Sequence, residues 1–134
     1  MSPQRAQSGP VERAALVGLV TGSARRVQAE QSLEELAGLA GAAGATVVLR
    51  MLQERPKPDP ATFIGAGKVA SLAAACAEAD VDVAIFDNEL TPAQLRQLED
   101  DSRAASRTRM IRTPRSSGSR PSRSRWPIRA RQRS

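Results

Sequence analysis

The sequence alternates short apolar runs with segments of helical character, and this alternation restricts the chain to a narrow class of folds. Continuous runs rich in Val, Leu, Ile and Ala occupy residues 14–20, 45–49 and 81–87. Such runs, bounded by turn residues, are typical of strands that are buried on both faces. A helical pattern follows each run, so the chain repeats a strand–helix order. We therefore predict an α/β fold, a small open parallel sheet with helices packed on its faces.

Local patterns indicate where the helices begin. Ser32 and Glu35 have the spacing of a capping box, which places the start of the first helix at Ser32. The second helix is expected over residues 69–79, with Cys76 on its apolar face as a small core residue. The segment TPAQ at residues 91–94 has Thr at N-cap, Pro at N1 and Gln at N3, and predicts the start of a third helix.

Charge divides the chain into two unlike parts. Residues 1–102 hold nine basic and all fourteen acidic residues, a net charge of −5, whereas residues 103–134 hold eleven Arg and no acid. We predict a flexible lead-in over residues 1–12, a folded domain over residues 13–101 and a disordered basic tail over residues 102–134. The tail has two interpretations: an arm selected to bind RNA phosphates, or GC-rich coding sequence translated out of frame.

A fourth strand should follow the third helix, but the sequence after residue 101 shows no apolar run that would supply it. The expected sheet therefore has three strands and an open edge, which predicts marginal stability.

Composition excludes several chemistries. The chain has no His, no Tyr and a single Cys, which removes Ser-His or Cys-His catalysis, His-ligated metal sites and internal disulfides. We expect no catalytic residue, no metal site and no disulfide partner. Three aromatic residues are too few for a base-stacking platform. No apolar run is long enough to span a bilayer, so no membrane partner is expected and the predicted location is the cytoplasm.

Two segments are candidate sites from their residue types alone. The turn at residues 65–68 lacks the spacing of a P-loop, and it either caps a helix or binds an anion through its backbone and Lys68. Asp87 and Glu89 follow a strand, where they could hold magnesium or a ribose, or be solvated loop residues. The proline-rich loop at residues 56–60 is either a stiff partner-binding loop or a plain connector.

Three segments together resemble one known family. They read QSLEEL (residues 31–36), KPDPATFIGAGKV (residues 57–69) and FDNELTPAQLRQLE (residues 86–99). This combination resembles the N-terminal domain of the HflX-type GTPases and covers about residues 13–100.

The resemblance implies a function that composition alone does not show. Members of this family are cytoplasmic GTPases that bind the large ribosomal subunit and its RNA and split stalled ribosomes. Their N-terminal α/β domain reaches into the ribosomal active centre, and in some members it has been linked to ATP binding. GTP and magnesium belong to the separate GTPase domain of the full-length proteins. The resemblance implies that the residues at the motif positions are the candidates for contact with a nucleotide or the ribosome. These are Pro58, Asp59, Pro60, Gly65, Gly67, Lys68, Asp87 and Glu89.

The chain also departs from the family after residue 99, where the Val-rich strand, the long charged helix and the P-loop are missing. We therefore expect the N-terminal domain of such a GTPase, without GTP hydrolysis, without a cofactor of its own and not an enzyme by itself. Two alternatives stay open: a stand-alone RNA- or ribosome-binding module that uses the Arg-rich tail, and a small nucleotide-binding α/β protein.

Overall fold

The computed structural model describes residues 12–21 and 25–113, in which strands and helices alternate along the chain. The elements are β1 (Arg13–Val20), α1 (Arg26–Ala42), β2 (Thr46–Glu54), α2 (Ala66–Glu78), β3 (Val83–Phe86), α3 (Pro92–Ser102) and β4 (Arg109–Arg112). The predicted α/β class is confirmed.

The strands form one parallel sheet in the order β2-β1-β3-β4. The expectation of a three-stranded sheet was wrong, because residues 109–112 pair with β3 along its whole length. The chain moves from β1 outward to β2 on one side and from β3 outward to β4 on the other. The strand order therefore reverses between β1 and β3, and this is the point at which open α/β sheets bind ligands.

Tertiary partners stabilise β4 where its own sequence gives no strand signal. Met110 is buried in the core, and the guanidinium of Arg109 donates to both carboxylate oxygens of Glu12 at 3.0 and 3.2 Å. The hydroxyl of Thr108 donates to the carbonyl of Val81 at 2.9 Å. Arg109 is thus paired with an acidic side chain from the other end of the domain, although by residue type it belongs to the basic tail. The rest of the predicted tail (residues 114–134) and most of the predicted lead-in (residues 1–11) lie outside the described residues.

Two apolar layers cover the two faces of the sheet. The α1 layer packs Leu33, Leu36 and Ala40 on one face, and the other layer joins α2 and α3 to the opposite face. Alternation along the strands divides their side chains between these layers. Cys76 is fully buried in the second layer, as predicted.

The helix starts agree with the sequence only in part. α3 begins as predicted: the Thr91 hydroxyl accepts from the Gln94 amide N–H at 3.0 Å, and the Gln94 side chain accepts from the Thr91 N–H at 2.9 Å. The predicted start of α1 at Ser32 was wrong, because the helix begins at Arg26 and Arg25 makes no side-chain cap hydrogen bond. The capping-box pattern at Ser32 lies inside a helix that began two turns earlier.

Candidate functional site

The loop between β2 and α2 and the loop between β3 and α3 lie at the carboxyl edge of the sheet. We call residues 55–65 the β2–α2 loop. A hydrogen bond of 3.0 Å from the Gln94 side-chain amide to the Asp59 carbonyl joins the two regions. The predicted site residues all lie in these loops or in the first turn of α2: Pro58, Asp59, Pro60, Gly65, Gly67, Lys68, Asp87 and Glu89.

Asp59 closes the β2–α2 loop upon itself. Its carboxylate accepts hydrogen bonds from the backbone N–H groups of Ala61 and Thr62 at 2.8 and 2.9 Å. Its own backbone exchanges two 2.9 Å hydrogen bonds with Phe63. The hydrogen bond from the Thr62 N–H is the main cause that lowers the pKa of Asp59 below its usual value. One carboxylate oxygen, Oδ1, therefore accepts its hydrogen bonds from within the loop itself.

Phe63 anchors the closed loop to the core. It has φ of 69°, in the left-handed region, and its side chain is buried. Its ring packs edge-to-face on Phe86 of β3, with ring centres 6.3 Å apart. The loop is therefore an ordered part of the domain although its backbone forms neither helix nor sheet.

The start of α2 depends on Gly65 and its contact with Arg55. Gly65 has φ of 94°, and a Cβ atom placed there would lie 2.5 Å from a terminal guanidinium nitrogen of Arg55. The same guanidinium group donates to the Lys57 carbonyl at 3.2 Å and lies 4.0 Å from the Asp59 carboxylate. Gly67, in contrast, is exposed and has open space around it.

The outer surface of this loop carries cations and prolines. Lys57, Pro58 and Pro60 are exposed, and Lys68 is half-buried at the start of α2. Among residues 12–21 and 25–113, neither lysine forms an ion pair with an acidic side chain. These side chains are therefore available to a partner, whereas Asp59 has a structural role.

Asp87 lies in a separate polar crevice, at the reversal of strand order between β1 and β3. The crevice has a volume of about 240 Å³. The Asn88 side chain accepts from the Leu19 N–H at 2.9 Å and holds the two strand ends together. The residues that line the crevice are Gly18, Leu19, Thr21, Arg25, Gln28, Ala29, Ser32, Asp87 and Asn88.

The structure does not bring all the predicted residues into this crevice. Asp87 lines it together with α1, whereas Lys68 begins α2, which packs on the opposite face of the sheet. Glu89 is exposed beyond the end of β3. Sequence reasoning missed Thr21 and Arg25, because it placed the start of α1 at Ser32; the turn after β1 was the signal that could have found them.

Neither a metal site nor a membrane span is found in the part of the chain that the structure describes. Residues 12–21 and 25–113 contain no group of three or more Cys, Asp or Glu side chains that could hold a metal ion. Of the described helices, none has the length and apolar character needed to cross a bilayer.

Fold and site together define a class, a small parallel α/β domain with an ordered lysine-bearing loop and a polar crevice at the carboxyl edge of its sheet. Residues 30–111 match the family model described as GTP-binding GTPase N-terminal, and the chain belongs to this family.

Curated relatives agree with this membership. The chain is 30% identical over 102 residues to GTPase HflX of Flavobacterium psychrophilum, and 38% identical over 102 residues to GTPase HflX of Lacrimispora saccharolytica. Each alignment covers 75% of this chain but only 25% and 24% of the relative. The resemblance to the HflX-type N-terminal domain is thus confirmed, and the chain spans about a quarter of the length of the relatives it matches.

A solved structure supports the fold. The crystal structure of SsGBP in complex with GDP has a TM-score of 0.52 with this chain at 14% sequence identity. The alignment covers 75% of this chain and 26% of that one.

Proposed function

We propose that this domain binds the large ribosomal subunit by placing the β2–α2 loop against ribosomal RNA. The observation that carries the proposal is the order of this loop: Asp59 and Phe63 fix its backbone, while Lys57 and Lys68 have no acidic partner within residues 12–21 and 25–113. A preordered loop loses little conformational entropy on binding. Unpaired cations next to it can displace counterions from RNA phosphates.

The proposed role does not include GTP hydrolysis. The sequence contains no G-x-x-x-x-G-K-[ST] motif, and Val69 follows Gly67-Lys68 where a P-loop has the magnesium-binding hydroxyl. GTP and magnesium would act in the remainder of a full-length relative. Ribosome splitting would require that remainder too, and the cytoplasm is the location consistent with a ribosomal partner.

Sedimentation with purified ribosomal subunits tests the proposal. We expect binding to the large subunit and not to the small one. The double variant Lys57→Ala/Lys68→Ala should bind about 5- to 30-fold more weakly, and should lower the slope of log affinity against log salt by roughly 1.5.

The matched control is Arg50→Ala/Arg103→Ala, which removes the same charge. Arg50 pairs with Glu34 and Arg103 with Asp100, both away from the β2–α2 loop. Equal weakening in both double variants would show that only net charge matters, and would contradict the proposed site. Binding of the wild-type chain to neither subunit would contradict the proposed function as a whole.

Nucleotide binding is a second candidate function, favoured by the polar crevice between β1 and β3. Arg25, at the start of α1, could contact a phosphate, and Asp87 could accept from a ribose hydroxyl. Isothermal titration with ATP and with GTP tests this candidate. If Arg25→Ala removes the heat of binding and Lys68→Ala leaves it unchanged, the result supports the crevice as the nucleotide site. The reverse result would support the turn at residues 65–68 as the nucleotide site. No heat with either nucleotide would end this candidate.

The third candidate function, an RNA-binding module based on the Arg-rich tail, concerns residues 102–134, of which residues 114–134 lie outside the described part of the chain. Deletion of residues 114–134, which leaves β4 in place, tests it, because unchanged large-subunit binding would rule out this part of the tail as the source of affinity.

A further inference from the structure

The side chain of Gln94 connects two parts of the carboxyl edge that are far apart in sequence. It is 9% exposed, between the first turn of α3 and the β2–α2 loop. Its oxygen accepts from the Thr91 N–H at 2.9 Å, and its nitrogen donates to the Asp59 carbonyl at 3.0 Å. The partners fix the orientation of the amide, since an N–H requires an acceptor and a carbonyl requires a donor.

The two hydrogen bonds serve different purposes. The bond to Thr91 completes the cap of α3 and is local. The bond to Asp59 spans 35 positions of sequence and reaches the carbonyl that also accepts from the Phe63 N–H. Capping requires only an acceptor at this position, and Glu supplies one as well as Gln does. Nothing about the helix start therefore requires an amide, whereas the contact with the loop does.

We propose that Gln94 is a positioning residue that holds the β2–α2 loop in its binding conformation and thereby sets the affinity of the domain for ribosomal RNA. This inference rests on the function proposed above. Without the Gln94 donor, the loop keeps its internal hydrogen bonds but loses its side-chain link to α3. The fraction of molecules with the loop in the competent conformation then falls, and the apparent affinity falls by the same factor.

The variant Gln94→Glu separates the two roles. Its carboxylate still caps α3, but at neutral pH it has no proton to donate and places a negative charge against the Asp59 carbonyl. We expect at least a tenfold loss of large-subunit affinity at pH 7.5. We also expect the Phe63 amide hydrogen to exchange faster than in wild type, when each rate is divided by the intrinsic exchange rate at the same pH.

Acidification should move both properties back toward those of wild type. Burial beside the Asp59 carbonyl raises the pKa of the introduced carboxyl group, whereas the Thr91 N–H and the start of α3 lower it. The protonated fraction rises as the pH falls from 7.5 to 5.5, and each protonated molecule has a donor at the position of the lost amide. The charged side chains of the neighbouring segments are Asp59 and Arg55 in the β2–α2 loop and Arg112 in β4. The carboxylate of Asp59 keeps its charge over this range, since its pKa is lowered. The exposed Glu89 is present in every variant, so wild type at the same pH is the reference for each measurement.

Gln97→Glu is the matched control. It introduces the same charge one turn further along α3, at an exposed position whose amide donates to the Asp101 carboxylate at 2.8 Å. Gln97→Glu should match wild type in affinity at both pH values and in Phe63 exchange. A weakening equal to that of Gln94→Glu would overturn the proposal, because charge on α3 would then explain the effect.

Thr91→Ala tests whether a weakened start of α3, and not the lost contact with the loop, would explain the loss of affinity. It removes the hydroxyl cap of α3 but leaves the Gln94 donor and the Asp59 carbonyl in place. We expect affinity within twofold of wild type and unchanged Phe63 exchange. A tenfold loss in Thr91→Ala would overturn the proposal, since the helix start and not the loop contact would control binding.

The outcomes separate the two proposals. If the wild-type chain does not bind the large subunit, the proposed function fails, while Phe63 exchange still decides whether Gln94 holds the loop. If the wild-type chain binds and Gln94→Glu binds equally well at pH 7.5, the role of Gln94 fails alone.

Discussion

Gly65 and Gly67 lie two residues apart at the start of α2, yet the structure predicts opposite effects for the same substitution. Gly65 has φ of 94° and ψ of 144°, a combination that residues with a Cβ atom rarely adopt. Gly67 has open space around it and helical geometry. We expect Gly65→Ala to destabilise the domain and Gly67→Ala to stabilise it slightly.

The magnitude for Gly65→Ala has two sources. Backbone strain of this type costs about 1–3 kcal/mol. The new Cβ would also lie 2.5 Å from the Arg55 guanidinium, which must move and weaken its hydrogen bond to Lys57. The Arg55 side chain is 33% exposed and flexible at its end, so this displacement adds at most about 1 kcal/mol. Gly67→Ala should gain about 0.5 kcal/mol from helix propensity.

Urea denaturation followed by far-ultraviolet circular dichroism measures both changes. The two variants should differ by about 2 kcal/mol or more in the free energy of unfolding. A Gly65→Ala variant as stable as Gly67→Ala would refute the reasoning. Repeating Gly65→Ala in an Arg55→Ala background identifies the source: backbone strain leaves most of the cost in place, whereas a collision with Arg55 would remove more than half of it.

Three other predictions concern single side chains. The folded-state pKa of Asp59 is lowered, so its contribution to stability is present above the unfolded-state pKa near 3.8 and is lost as pH falls through the folded value. The urea midpoint of Asp59→Asn should therefore fall less than that of wild type between pH 5 and pH 2. Equal falls of the two midpoints would contradict this prediction. Burial raises the pKa of the Cys76 thiol and covers it completely, so a thiol reagent should react at least a hundredfold faster in urea than in buffer; equal rates would show that this layer opens readily. Met110→Ala should cost about 2 kcal/mol in urea denaturation, because Met110 is 4% exposed in the core, whereas a cost near zero would show that β4 is not part of the folded domain.

Much of the architecture follows from local sequence signals. The apolar runs predicted β1, β2 and β3, and the segment at residues 91–94 predicted the start of α3, because each signal lies within one element. The start of α1 was mispredicted since Ser32 and Glu35 have capping spacing but lie within a continuing helix, while Arg25 offers no cap. Where packing and not capping sets the start of a helix, a local pattern does not show whether the helix has already begun.

The position of the candidate site was predictable from the sequence, but the different roles of its residues were not. The resemblance placed Asp59 and Lys68 among the contact candidates without distinguishing them. The structure turns the Asp59 carboxylate inward to the N–H groups of Ala61 and Thr62. Gln94 belongs to a segment that carries the family resemblance, but its local pattern indicates only the cap of α3, because its second partner lies 35 positions away and is a backbone carbonyl.

The fourth strand shows why composition misleads at this end of the chain. Arg109 and Arg112 belong by type to the basic tail, but Arg109 pairs with Glu12 and Arg112 donates to the Leu90 carbonyl. Pairing continues one residue beyond the strand, since the Thr113 N–H donates to the Phe86 carbonyl at 3.0 Å. The edge of β3 is therefore covered by residues 109–113, and covering a strand edge in this way protects it from pairing with other chains. Whatever the origin of the sequence after residue 102, its first eleven residues complete the sheet. Whether the tail is translated out of frame is therefore a separate question from whether the domain folds.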